Sequence, residues 1–159
     1  MQSSIKIANF FVSKSINTGE ELSPIKLLKL VYLSHGWYLG LTEKPLIGEA
    51  VQAWKYGPVV KDVYYAFRTY GSEQITSFAK DSYSTIQIPN AEKEKDLVQF
   101  LEKIWEIYGK VDGLRLSALT HESGSPWDTV WNIQGGKYKK DAIIPNDLIR
   151  DYYKAKSAA

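Results

Sequence analysis

Apolar positions recur along this chain at helical spacing, broken by short polar turns. Ile5, Ala8, Phe11 and Val12 lie on one stripe, widened by Ile7 and Phe10, and predict a helix over Ile5–Ile16 that ends at Asn17-Thr18-Gly19. Ser23 and Pro24 form a cap-plus-proline start for a second helix, Ile25 to about Leu41. Leu27, Leu28, Leu30, Val31 and Leu33 make it the most buried helix, with Lys26 and Lys29 expected on its wet side. Gly36, inside it, costs about 1 kcal/mol against Ala and marks either a close helix crossing or a helix end. Glu49–Lys55 alternates, with Val51 and Ala53 on one side and Gln52 and Trp54 on the other, and reads as a short strand.

Tyr56-Gly57-Pro58 reads as a turn before a third helix, Val59–Tyr70, which Gly71 terminates. Ser72–Pro89 is polar, and its alternating Tyr83–Ile88 stretch is expected to pair with the Val51 region as a hairpin. Asn90–Tyr108 carries the clearest stripe, Leu97, Leu101, Ile104 and Tyr108, and Gly109 closes it. A short helix follows from Asp112 or Gly113 through Leu119, and another starts at Ser125-Pro126 and ends near Asn132. After a turn at Gly135-Gly136, a last helix runs from Asn146 to Ala155, with Leu148, Ile149 and Tyr152 expected to be buried. The expected fold is mainly α, a compact multi-helix domain with one small two-stranded β hairpin. The whole chain, residues 1–159, reads as one domain.

Composition narrows the function classes. With no cysteine there is no disulfide scaffold, thiolate metal site or cysteine nucleophile. Twenty basic residues against 18 acidic ones leave a net charge of +2, which is not the strongly basic footprint of a dedicated nucleic-acid binder. No apolar stretch approaches the ~20 residues that cross a bilayer, and Met1–Lys6 lacks an export signal, so the expectation is a soluble, cytoplasmic chain. Eleven Tyr, five Trp and five Phe are the unusual feature, and such side chains serve cores and interfaces alike.

Candidate chemistry is sparse. His35 and His121 lack metal-ligand spacing, and neither a nucleotide-binding glycine motif nor a GxSxG elbow is present. No metal and no cofactor are expected. His121 with Ser117, Ser123 or Ser125 is the only hydrolase-like cluster, and a capped turn leading into Pro126-Trp127 explains it at lower cost. Lys137, Lys139 and Lys140, with Lys110 and Lys154, form a candidate basic patch interleaved by Tyr138, but Asp141, Asp147 and Asp151 follow and favour a solvated mixed-charge face. What remains is a pair of aromatic turns, Ala53–Val60 and Leu119–Trp127. Core packing accounts for most such tryptophans, while rigid aromatics on structured turns are also what interface hot spots use.

The run Ile25–Leu33 with His35-Gly36-Trp37-Tyr38, then Pro45-Leu46, Glu49, Ala53-Trp54-Lys55-Tyr56-Gly57-Pro58-Val59-Val60 and Tyr64, resembles the Panacea domain, the SocA-like antitoxin domain of bacteria and phages. Leu119-Thr120-His121, Pro126-Trp127 and Ile144-Pro145 extend the resemblance over about residues 5–153. It implies a mainly helical, non-enzymatic domain that neutralises a toxin protein, typically encoded by an adjacent gene, by direct contact. A branch of the family instead delivers its toxin to a protease, and a nucleic-acid-binding regulator is the alternative from another class. The signature or partner-contact residues are then Trp37, Trp54, Lys55, Tyr56, Gly57, Pro58, His121, Pro126 and Trp127.

Overall fold

The computed structural model describes residues 1–159. Of seven helices, one long helix is central, and the others pack around it with a small sheet. Helix α1 (Ser4–Thr18) starts where the Ser3 side chain accepts from the Lys6 N–H, and it ends at Gly19, which adopts a left-handed conformation. Helix α2 (Pro24–Thr42) begins as its sequence predicts, with Ser23 capping and Pro24 in the first turn. It continues through Gly36, where a crossing helix, not a helix end, explains the residue.

That crossing helix is α7 (Asn146–Ser157). A Cβ on Gly36 would sit 2.5 Å from the Tyr153 ring, and one on Gly40 would sit 2.7 Å from the Tyr153 backbone. Ile149 and Tyr153 are the α7 residues fully buried, while Leu148 and Tyr152 are only half-buried. The buried stripe is therefore set one residue on from Tyr152, because α7 must meet two glycines on α2.

Helix α2 also touches α1, α3 (Lys61–Phe67), α4 (Lys95–Tyr108), α5 (Gly113–Thr120) and the sheet. A helix enclosed on every side has no wet face, and the expected exposure of Lys26 and Lys29 is wrong: both are buried. Their apolar stems pack in the core while each ammonium donates to backbone carbonyls. Lys26 Nζ reaches Glu21 O and Gly109 O, both at 2.6 Å, the second at the carbonyl-rich end of α4. Lys29 Nζ reaches Tyr56 O at 3.1 Å and Pro58 O at 3.2 Å.

Strand β1 (Val51–Trp54) pairs antiparallel with β2 (Gly57–Val60), with Trp54 opposite Gly57, and with β3 (Ala142–Ile144), giving the order β2-β1-β3. The hairpin partner of β1 is thus the Gly57–Val60 segment, not Tyr83–Ile88; the sequence had split it between a turn at Tyr56–Pro58 and the start of the third helix at Val59. Pro58 is accepted because β2 is an edge strand, where one missing N–H costs no ladder bond. Helix α3 is correspondingly shorter than its sequence predicts, and a 3₁₀ turn, Arg68–Tyr70, continues it to Gly71.

Tyr83–Ile88 forms no strand. Residues 72–89 run irregularly over α1 and are held by the buried Asn9. Its Nδ2 donates to Ala79 O (2.9 Å) and Gln87 O (3.0 Å), while its Oδ1 accepts from the Ala79 N–H (3.0 Å). Before α4, Asn90 caps a separate turn by accepting from the Glu92 and Lys93 N–H groups, so the helix proper starts at Lys95. Helix α6 (Pro126–Asp128) runs into a wider π-type turn, Thr129–Ile133, beside the sheet. No helix is long and apolar enough to cross a membrane.

Candidate functional site

The two aromatic turns singled out in the sequence meet in space. The hairpin tip, Lys55-Tyr56, projects from β1 and β2, and three surrounding helices tie its carbonyls down. From α2, Lys29 Nζ donates to Tyr56 O and Pro58 O. From α5, Ser117 Oγ donates to Tyr56 O at 3.2 Å. From α6, Trp127 Nε1 donates to Trp54 O at 2.7 Å. Gly57 is required at the centre. Its φ is +120°, and a Cβ there would lie 2.6 Å from Lys29 Nζ and 3.2 Å from His121 Nε2.

His121 ends α5, where its N–H bonds to the carbonyls of Ser117 (3.1 Å) and Ala118 (3.2 Å), and its ring stands edge-on to Trp127 with centroids 4.4 Å apart. Burial lowers its pKa, and the Lys29 charge adds to the effect, both favouring the neutral ring. Its Nδ1 lies 3.3 Å from Ser117 Oγ. This brings together one Ser–His pair of the hydrolase reading. However, Ser117 is buried and its hydroxyl already serves Tyr56 O. No carboxylate bonds to the other ring nitrogen to orient it, and Ser125 instead caps α6 through the Asp128 N–H. No three His, Cys, Asp or Glu side chains converge to hold a metal.

Pro126 is buried in the first turn of α6 and Trp127 is buried behind it. Trp37 stands apart from the hairpin, donating from Nε1 to Tyr108 Oη at 2.9 Å and packing edge-on against Tyr153. His35 is fully buried: Nδ1 accepts from the Ile47 N–H (3.4 Å), which leaves Nε2 to donate to Asn146 Oδ1 (2.9 Å). Of the nine signature residues, then, Lys55 and Tyr56 are the exposed ones, Tyr56 to 68%. Trp54 is half-buried, with Nε1 bonded to Gln52 Oε1 and its ring edge-on to Tyr64.

Two clefts flank Trp54. One, of about 280 Å³, is walled by Leu28, Val59 and Val63 and rimmed by Tyr56, Tyr64 and Arg68. The other, about 310 Å³ and shallower, lies between the tip and the Lys139–Asp141 turn. It gathers Lys55, Lys61, Lys139 and Lys140 with Tyr65 and Trp131. The basic patch expected from sequence is therefore assembled differently, since Lys154 is away pairing with Glu43 at 3.2 Å. Lys61, Tyr65 and Trp131 were missed because only the β1–β3 pairing brings these segments together, and three-residue β3 has too little alternation to announce itself. Lys29 was missed because it stands inside an apolar run.

The family model "Antitoxin SocA-like, Panacea domain" matches residues 27–128, which take in most of α2, the hairpin and the Pro126-Trp127 turn. Antitoxin SocA of Caulobacter vibrioides (strain NA1000 / CB15N) is 30% identical over 151 residues, 93% of this chain and 80% of that protein. No solved structure matches the chain.

Proposed function

The chain belongs to the SocA-like antitoxin family of Panacea domains, and on that premise we propose that it neutralises a partner toxin by direct protein–protein contact, without chemistry of its own. The observation that carries this reading is the hairpin tip. Its backbone is fastened by donors from three helices, while Lys55 and Tyr56 are left facing outward. A rigid exposed aromatic loses little freedom on binding, which is how a few side chains come to dominate an interface. Gly57, Pro58, His121, Pro126 and Trp127 act in this reading as the support that holds Tyr56 and Trp54 in place, and Trp37 acts at a distance through the α2–α7 packing. A stable complex needs about 800 Å² from each partner, a small part of the 8669 Å² surface.

The test is co-expression with the product of an adjacent gene that is toxic alone. Restored growth and a complex that co-purifies support the reading. Persistent toxicity with no complex refutes it.

A further inference from the structure

The two clefts beside Trp54 each carry a net positive charge. We infer that they form a single docking surface for an acidic segment of the partner protein that also bears large apolar side chains. The inference rests on the toxin-binding reading above and names the surface and the chemistry of its occupant.

In the apolar cleft the exposed cation is Arg68, the buried Lys29 ammonium being already bonded to Tyr56 O and Pro58 O, and no carboxylate lines it. In the second, four lysines face the single carboxylate of Asp141. Asp141 pairs with Lys61 at 3.4 Å, while Lys55, Lys139 and Lys140 enter none of the ion pairs of the molecule. With Lys61 and Asp141 they give this groove a net charge of +3 against +2 for the whole chain, so it is a local concentration of positive charge on an otherwise nearly neutral molecule. Such segregation makes a field that draws in and orients an acidic partner.

Trp54 is the shared wall of the two clefts, and its carbonyl is pinned by Trp127, so the surface is formed before anything binds. The groove alone, basic and aromatic, would suit single-stranded nucleic acid. The neighbouring cleft favours a protein instead: Trp54, Tyr56, Tyr64 and Arg68 stand at its rim, but its walls of Leu28, Val59 and Val63 are aliphatic. They fit an apolar anchor. Lysine is depleted from the centres of protein interfaces and tolerated at their rims. That places the anchor in the apolar cleft and the partner's carboxylates along the lysine groove.

The test is selection of a displayed library of short random peptides on the full-length protein. Affinities of the enriched peptides are then measured for wild type and for two variants, Lys139→Glu/Lys140→Glu and Tyr56→Ser. All three positions are exposed, and circular dichroism verifies that both variants keep the native fold. The expected peptides carry Asp or Glu beside Leu, Phe or Trp. The lysine variant should bind them about tenfold more weakly at low salt, with the difference closing at high salt. Tyr56→Ser should lose about tenfold regardless of salt. No enrichment, peptides without acidic residues, or equal binding by the charge-reversed variant overturns the inference. So does tighter binding of an oligo-dT strand than of the peptides. In the growth assay, failure of wild type to neutralise the toxin overturns the antitoxin reading itself. Neutralisation by wild type and both variants alike overturns only the assigned surface.

Discussion

Lys29 is the residue on which the hairpin most depends. Burial lowers its pKa from 10.5 to about 7. Below about pH 7 both folded and unfolded chains carry the charge, and the full cost of burying it is present. Between about 7 and 10.5 the unfolded chain still holds the proton that the folded chain has released, so stability rises with pH across that window. The slope cannot exceed about 1.4 kcal/mol per pH unit for one proton. Buried Tyr32 and Tyr153 have pKa values pushed above 10.0, so the unfolded chain loses those protons first and stability falls again beyond pH 10. Urea unfolding across pH 6–11 should therefore show a maximum on the alkaline side. Lys29→Met should flatten the rise between neutrality and the maximum; an unchanged rise in that variant would assign it to other groups. Trp127→Phe should cost about 1–2 kcal/mol, chiefly by leaving the Trp54 carbonyl without its donor. Tyr56→Ala, at an exposed position, should stay within about 0.5 kcal/mol of wild type.

At the scale of elements, the crossing of α7 over α2 sets the tightest constraint. Gly40→Ala drives a methyl into the Tyr153 backbone, which cannot swing aside as a side-chain end would. We expect a net loss of about 1–3 kcal/mol in urea unfolding, despite the helix-propensity gain of alanine. Asn9→Ala strands two carbonyls and an N–H of the 72–89 segment. It should cost roughly 2–3 kcal/mol and make that segment the first site of proteolytic cleavage. These two cases show what the sequence could and could not reveal. Caps and apolar stripes announce local structure, so Ser23-Pro24, the Leu97–Tyr108 stripe and the Ser125-Pro126 start could all be read directly. The wet face assigned to Lys26 and Lys29 failed because periodicity reports amphipathicity, and a helix surrounded on all sides has none. The 72–89 segment failed because it is held by residues far away in sequence, Asn9 and, through Gln74 and Ile75, Ser15 and Leu22, and no local pattern encodes such tethers.

For the whole molecule, the sequence singled out two aromatic turns without showing that one holds the other. The structure supplies that link through the Trp127–Trp54 bond and the Lys29 and Ser117 donors. It divides the signature residues into a buried support and an exposed tip. The central claim is that contact at this tip suffices for neutralisation. A protease-free assay tests it most directly: purified chain is titrated into the purified toxin, and toxin activity is followed. The account predicts loss of activity that is complete near one equivalent and shifted to higher concentration by Tyr56→Ser. Full toxin activity at saturating protein, falling only when an energy-dependent protease is added, would contradict it.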